Sequence, residues 1–149
     1  MQALEIAQAV KGRPVKMTWS REEDMTHDYP RPMSISYGRG KVSNGQIDAL
    51  EMRMVAPSLI ASWMGRISVA PPGPDATITQ GADDQPFAVE HYRVTGYKSP
   101  EMVPVSSWRS VAASQNGFYH ECFMDELIDK ASADPVSYTH LTLPTKRIV

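Results

Sequence analysis

The 149 residues contain a single cysteine, Cys122, so an intrachain disulfide and a cysteine-rich metal site are both excluded. No apolar run approaches the roughly 20 residues of a membrane-spanning helix. The opening MQALEIAQAVKGRP has no basic head followed by an apolar core, so it is not a signal peptide. Basic residues never cluster. The 15 Lys and Arg are interspersed with 17 acids for a net charge of −2, and no stretch offers a nucleic-acid surface. The common phosphate-cradling and catalytic signatures GxxxxGK(S/T), GxGxxG, HExxH, CxxC and GxSxG are missing too. What is present is an ordinary globular composition, 42% hydrophobic and 21% charged, at a length that suits one domain. Twelve prolines break the chain into short periodic pieces.

Those pieces predict an α+β fold. Leu4, Ile6, Ala7 and Val10 have helical spacing, ended by Gly12 and Pro14. No capping residue precedes them, which predicts that the protein begins earlier. Val15, Met17 and Trp19 alternate with polar residues and predict a strand over 15–19. Ser20 and Glu23 fit a capping box. Met33, Ile35 and Tyr37, then Leu50, Met52 and Met54, alternate on either side of Asn44-Gly45. That pair favours a type I′ turn, because both central residues need φ > 0. The pattern predicts a β-hairpin over about 33–55, with Ile35 or Tyr37 opposite residues near Leu50 and Met52. A short helix is expected at 58–66, an irregular proline-rich crossing at 70–88, a strand at 91–97 and an extended, then turning, segment at 103–112. Ser114 opens the longest helix, about 114–132, with Tyr119, Phe123 and Leu127 in one row and Met124, Ile128 and Ala131 in the next.

Few residues advertise chemistry. His120, Glu121 and Cys122 are consecutive on that helix, point about 100° apart and cannot converge on one ion; they read as helix-face residues with Cys122 in the core. Glu22, Glu23 and Asp24 form an acidic first turn that suits the helix dipole. The methionine-rich hairpin reads as core. The most suggestive stretch is Ser106-Ser107-Trp108-Arg109-Ser110, a loop before a helix. Helix starts favour anions, and an Arg there can offer several donors. Spacing alone leaves open whether this loop is functional or structural.

Taken in order, GRPVKMTWSREEDMTHD at 12–28, YPRP at 29–32, APPGPDATITQGADDQPF at 70–87, HYRVTGY at 91–97 and VPVSSWRSVAASQNGFYHECFMDEL at 103–127 resemble the molybdopterin-binding large subunit of the xanthine dehydrogenase and aldehyde oxidase family. The branch most resembled is the isoquinoline 1-oxidoreductase β subunit. The resemblance implies that 1–135 is an internal, partial molybdopterin-binding region. It implies a molybdenum cofactor in its cytosine dinucleotide form, a partner subunit with two 2Fe–2S clusters, and oxidative hydroxylation of N-heterocycles or aldehydes with water. Trp108, Arg109, Ser110 and Gln115 are the cofactor-binding residues it implies. It assigns no catalytic residue here, since the family's catalytic Glu falls beyond residue 135 and its first glycine-rich cofactor loop before residue 1. The isolated chain is therefore expected to be inactive. Ser110 stands where Gly is common and Val111 where xanthine-oxidising members carry a substrate-stacking Phe. The motif at 29–32 replaces their GRHP, so no substrate role is carried onto Arg31, and xanthine is disfavoured as substrate. The alternative from another class is a small non-catalytic protein-binding module. Nothing in the sequence distinguishes cytoplasm from periplasm.

The tail VSYTHLTLPTKRIV at 136–149 resembles a translated sequencing adapter, the transposase end used in tagmentation libraries. GTC TCT TAT ACA CAT CTG ACG CTG CCG ACG encodes Val136 to Thr145 in order. A variable index would supply Lys146, Arg147 and Ile148, and GTG would supply Val149. This reading sets the tail apart from the native chain and predicts that it makes few contacts.

Overall fold

A computed structural model describes residues 2–87 and 89–142. Helix α1 (Gln2–Ala9) and helix α2 (Arg21–His27) lead into strand β1 (Ile35–Ser43) and strand β2 (Gln46–Pro57). Helix α3 (Leu59–Gly65), a single 3₁₀ turn (Ala76–Ile78), strand β3 (His91–Ser99), helix α4 (Ala113–Lys130) and helix α5 (Pro135–Thr142) follow. The α+β expectation holds at this level: the helices accompany one three-stranded mixed sheet of order β1-β2-β3.

The hairpin forms as the Asn-Gly pair requires. Asn44 has φ 51° and Gly45 φ 74°, the two positive values of a type I′ turn. The β1–β2 pairing is antiparallel, with Ile35 opposite Val55 and Tyr37 opposite Arg53. β3 then returns parallel to β2, with Val94 beside Met52 and Tyr97 beside Val55. The segment 15–19 is not a strand. Alternation alone does not make one, because an unpaired extended segment has no ladder to satisfy its backbone.

The inward face of β1 is the opposite of the one its apolar residues suggest. Ile35 and Tyr37 are exposed, while Ser36 and Gly38 alternate inward of them. The reason lies in α4, which crosses this end of the sheet. A Cβ at Gly38 would stand 2.7 Å from the Phe123 ring, and one at Gly40 would stand 2.5 Å from Leu127. Glycine lets the helix row of Phe123 and Leu127 approach the backbone directly, and a larger residue would force it away. On β2 the alternation follows expectation. Leu50, Met52 and Met54 are each 1% exposed and pack with Met124, Leu127 and Ile128 of α4, so both predicted rows of α4 reach the core.

Three further expectations are corrected. α4 starts at Ala113, and its N-cap residue is Ala112, with no side-chain cap. Ser114 lies inside the first turn, where its hydroxyl is bonded to Arg31 and to Ser110 of the preceding loop. Cys122 is exposed rather than in the core; its neighbour His120 takes the buried position. Finally, the tail makes a core contact where few contacts of any kind were expected. The α5 residue Tyr138 is buried in the core, and its hydroxyl accepts a hydrogen bond from the Ile47 amide at 3.2 Å. A tyrosine placed after the end of α4 fills apolar space and caps a strand amide whatever its origin. The rest of the expected adapter tail, 143–149, lies outside the described residues.

Ser20 caps α2 as predicted, accepting from the Glu23 amide, and Ser58 caps α3 in the same way. α1 and α2 bury no residues, so they lie at the periphery of this core. No helix among the described residues is long and apolar enough to cross a membrane.

Candidate functional site

The loop 105–112 carries the residues singled out by sequence, and its backbone is under constraint. Ser110 (φ 66°) and Val111 (φ 49°) are consecutive left-handed residues, neither of them glycine. Such a conformation costs about 1–3 kcal/mol per residue, and Val111 is β-branched, which makes it harder still. Two tight turns hold the path, the Val111 amide donating to the Trp108 carbonyl and the Ala113 amide to the Ser110 carbonyl, each at 2.8 Å.

Long-range partners fix the loop from outside. Ser62 of α3 accepts from the Val105 amide at 2.9 Å, and Arg66 donates to the Val105 carbonyl at 2.9 Å. The Arg66 guanidinium also lies over the Tyr29 ring, 4.2 Å from its centre, a cation–π contact. The Trp108 indole N–H donates to the Tyr29 carbonyl at 2.8 Å, and the Ser106 amide to the Pro30 carbonyl. Arg31 donates to the carbonyls of Val111 and Arg109 and to the Ser114 hydroxyl. The segment 29–31, eighty residues earlier in sequence, is therefore the wall against which the loop is built.

The start of α4 is anchored from the far side. Asn116 is 1% exposed and donates both amide hydrogens, to the Ile78 and Gln80 carbonyls at 2.8 and 3.0 Å. Asp75 organises the crossing segment beneath, accepting from Ser58 Oγ (2.7 Å), the Ile60 amide (3.0 Å) and both the amide and hydroxyl of Thr77. Burial raises the Asp75 pKa, but these hydrogen bonds outweigh it and hold the carboxyl below its usual range. Neither Asn116 nor Asp75 stands out in the sequence. Asn116 sits among polar residues and Asp75 in a proline-rich run, and the backbone groups they engage are ones that no spacing rule identifies.

Of the four residues implied by resemblance, three lie together in the loop and the fourth, Gln115, follows in the first turn of α4. Trp108 spends its donor on the Tyr29 carbonyl and stays partly exposed. Ser110 is bonded to Ser114. The Arg109 guanidinium is exposed, and among the described residues no carboxylate lies within ion-pair distance of it. Gln115 lines a narrow pocket with Pro32, Ala56, Ile78 and Val111, and its Oε1 is buried without a hydrogen-bond partner. A planar cation on a rigid loop suits an anionic ligand. Among the described residues no group of His, Cys, Asp and Glu could hold a metal ion directly.

The profile of the molybdopterin cofactor-binding domain family matches residues 2–141. The chain belongs to that family. It is also 29% identical, over 95% of its length, to one of the subunits of nicotinate dehydrogenase from Pseudomonas putida, and it spans 12% of that protein.

One titratable group outside the loop has a measurable consequence. His120 is 1% exposed, stacked on Phe87 and edge-on to Tyr92, and its Nε2 has no partner. Burial lowers its pKa, opposed by the nearby Glu121 carboxylate. In the unfolded chain the imidazole takes up a proton near its ordinary value of about 6.5, whereas the folded chain keeps it neutral to lower pH. Stability is therefore fully present above about pH 6.5 and falls as pH drops toward the lowered folded value. Urea midpoints should fall between about pH 7.5 and about pH 5.5 in the wild type, and fall less in His120→Phe. An identical drop in the variant would assign the pH dependence to other groups.

Proposed function

We propose that this chain is one segment of the large subunit of a molybdenum hydroxylase, and that 108–115 is part of its cofactor cradle. The Arg109 guanidinium, with no carboxylate in ion-pair reach among the described residues, on a braced, left-handed loop carries this reading. Arg109 would bind a pyrophosphate or oxo group with its planar fork. Gln115, which lies beside Val111 in the first turn of α4, would support the cradle from beneath. Trp108 and Ser110 would shape the turn that presents Arg109. The bound cofactor supplies the redox chemistry, hydroxylation of an electron-poor carbon with oxygen from water. The chain's own residues hold and orient it. No catalytic base is assigned within these residues.

The substrate class that fits is an N-heterocycle or an aldehyde. The similarity to a nicotinate dehydrogenase subunit supports the heterocycle, and the likeness to isoquinoline 1-oxidoreductase β subunits points the same way. Val111, in place of a stacking aromatic, argues against xanthine. The cytosine dinucleotide form of the cofactor and an iron–sulfur partner subunit complete the proposal, as does the adapter origin of 136–149. Under that last reading Tyr138 occupies, at the end of the core, space that the native continuation of the chain would fill.

The test is to express the uninterrupted subunit with its iron–sulfur partner, beside the 149-residue chain alone. The complete subunit should purify with stoichiometric molybdenum and place labelled oxygen from water into an N-heterocycle or aldehyde. The short chain should do neither. A complete subunit that folds without molybdenum, or a short chain that binds it, would refute the reading.

A further inference from the structure

We propose that Arg31 is a positioning residue that holds the 108–114 loop in its cofactor-binding shape; this rests on the reading of that loop as part of the cofactor cradle. Two consecutive non-glycine residues with positive φ do not persist without outside support. Here the support falls on the carbonyls that flank the kink. Arg31 Nη2 donates to the Arg109 carbonyl at 2.9 Å, while Nη1 reaches both the Val111 carbonyl and the Ser114 hydroxyl. One guanidinium thus bridges the residue before the kink, the second residue of the kink and the first turn of α4.

The geometry suits arginine specifically. A planar fork can engage two carbonyls at once in fixed relative positions, whereas a lysine ammonium is a point charge on a flexible stem. Arg31 is itself held, since the neighbouring backbone of Tyr29 and Pro30 accepts from Trp108 and Ser106. Because the Arg109 carbonyl is pinned to Arg31, the Cα from which the Arg109 side chain springs is fixed without any contact to that side chain. Arg31 would thus act on the cofactor only through Arg109 and the α4 start.

The loop's rigidity can be read without activity. Trypsin cleaves after Arg109 only when the loop opens. The Arg31–Pro32 bond is refractory to trypsin because proline follows, so replacing Arg31 removes no cleavage site. In the 149-residue chain, Arg31→Met should speed cleavage at Arg109 by about tenfold or more, with Arg31→Lys intermediate, while cleavage at Lys41 and Arg53 within the sheet keeps its wild-type rate. In the complete subunit, Arg31→Met should also lower bound molybdenum about fivefold or more, as Arg109→Gln should, and Arg31→Lys should restore part of it. Unchanged cleavage at Arg109, or an equal rise at all three sites, would overturn the positioning role whatever the molybdenum content. Faster cleavage at Arg109 with full molybdenum, in a subunit where Arg109→Gln loses it, would show that the brace does not serve the cofactor and would also overturn the proposal. Full molybdenum in both Arg31→Met and Arg109→Gln would instead remove the cofactor reading of the loop, and the inference with it.

Discussion

Arg109→Ala, in the complete subunit with the iron–sulfur partner proposed above, is expected to lower kcat by about 10²–10³, the usual loss when one preorganised donor to developing charge is removed. Arg109 is exposed on the loop, with no ionic partner among the described residues to neutralise it, so its charge is available to a ligand. Its guanidinium presents five donors in one plane. Arg109→Lys keeps the charge and loses the fork; it should retain molybdenum and still react more slowly than wild type. Molybdenum content and the rate of a single reductive half-reaction, measured separately, divide holding from chemistry. Loss of molybdenum in both variants would make Arg109 a binding residue. Full content and wild-type reduction in both would make it structural and void its assignment to the site.

Gly81→Val should be the most destabilising single change near the loop, at about 3–5 kcal/mol. Two effects combine. Gly81 has φ 87°, a conformation that costs an L-residue about 1–2 kcal/mol. An added Cβ would also stand 2.7 Å from the Cα of Ala113 and 2.8 Å from its Cβ. The obstacle is the backbone at the start of α4, which cannot rotate away, so overpacking adds about 1–3 kcal/mol. Gly12→Val separates the two effects. Gly12 has nearly the same φ, 83°, with nothing within 4 Å of the added atom, so only the conformational cost of about 1–2 kcal/mol applies there. Chemical denaturation of both variants would decide: equal losses would mean that α4 shifts to accommodate the side chain and that the Gly81–Ala113 contact does not fix the helix.

The parts of this fold that were legible in sequence are those governed by local chemistry. Asn44-Gly45 names its turn because two left-handed residues are needed there. Ser20 caps the helix that follows it, and the rows on α4 name their buried face by period. The inward face of β1 was hidden because its identifying residues are Gly38 and Gly40, which carry no hydropathy; their meaning appears only once Phe123 and Leu127 lie over them. The candidate site shows the same division. Trp108 and Arg109 were found as a loop before a helix, and Gln115 through resemblance. The residues that shape the loop, Arg31, Arg66, Asn116 and Asp75, act on distant backbone carbonyls and amides. A sequence shows which residue can donate, and not which carbonyl the fold will carry to it.

The mixed sheet has a consequence for how the chain comes together. β1 and β2 are joined by a two-residue turn and can zip within about 1–10 μs. β3 reaches its parallel place on β2 only after 58–90 has been laid across, and the entropy of closing so long a loop must be overcome before any of its hydrogen bonds form. Until then one edge of β2 presents a row of unpaired N–H and C=O groups beside Leu50, Met52 and Met54. During synthesis that edge is the place where a strand from a second nascent chain would add.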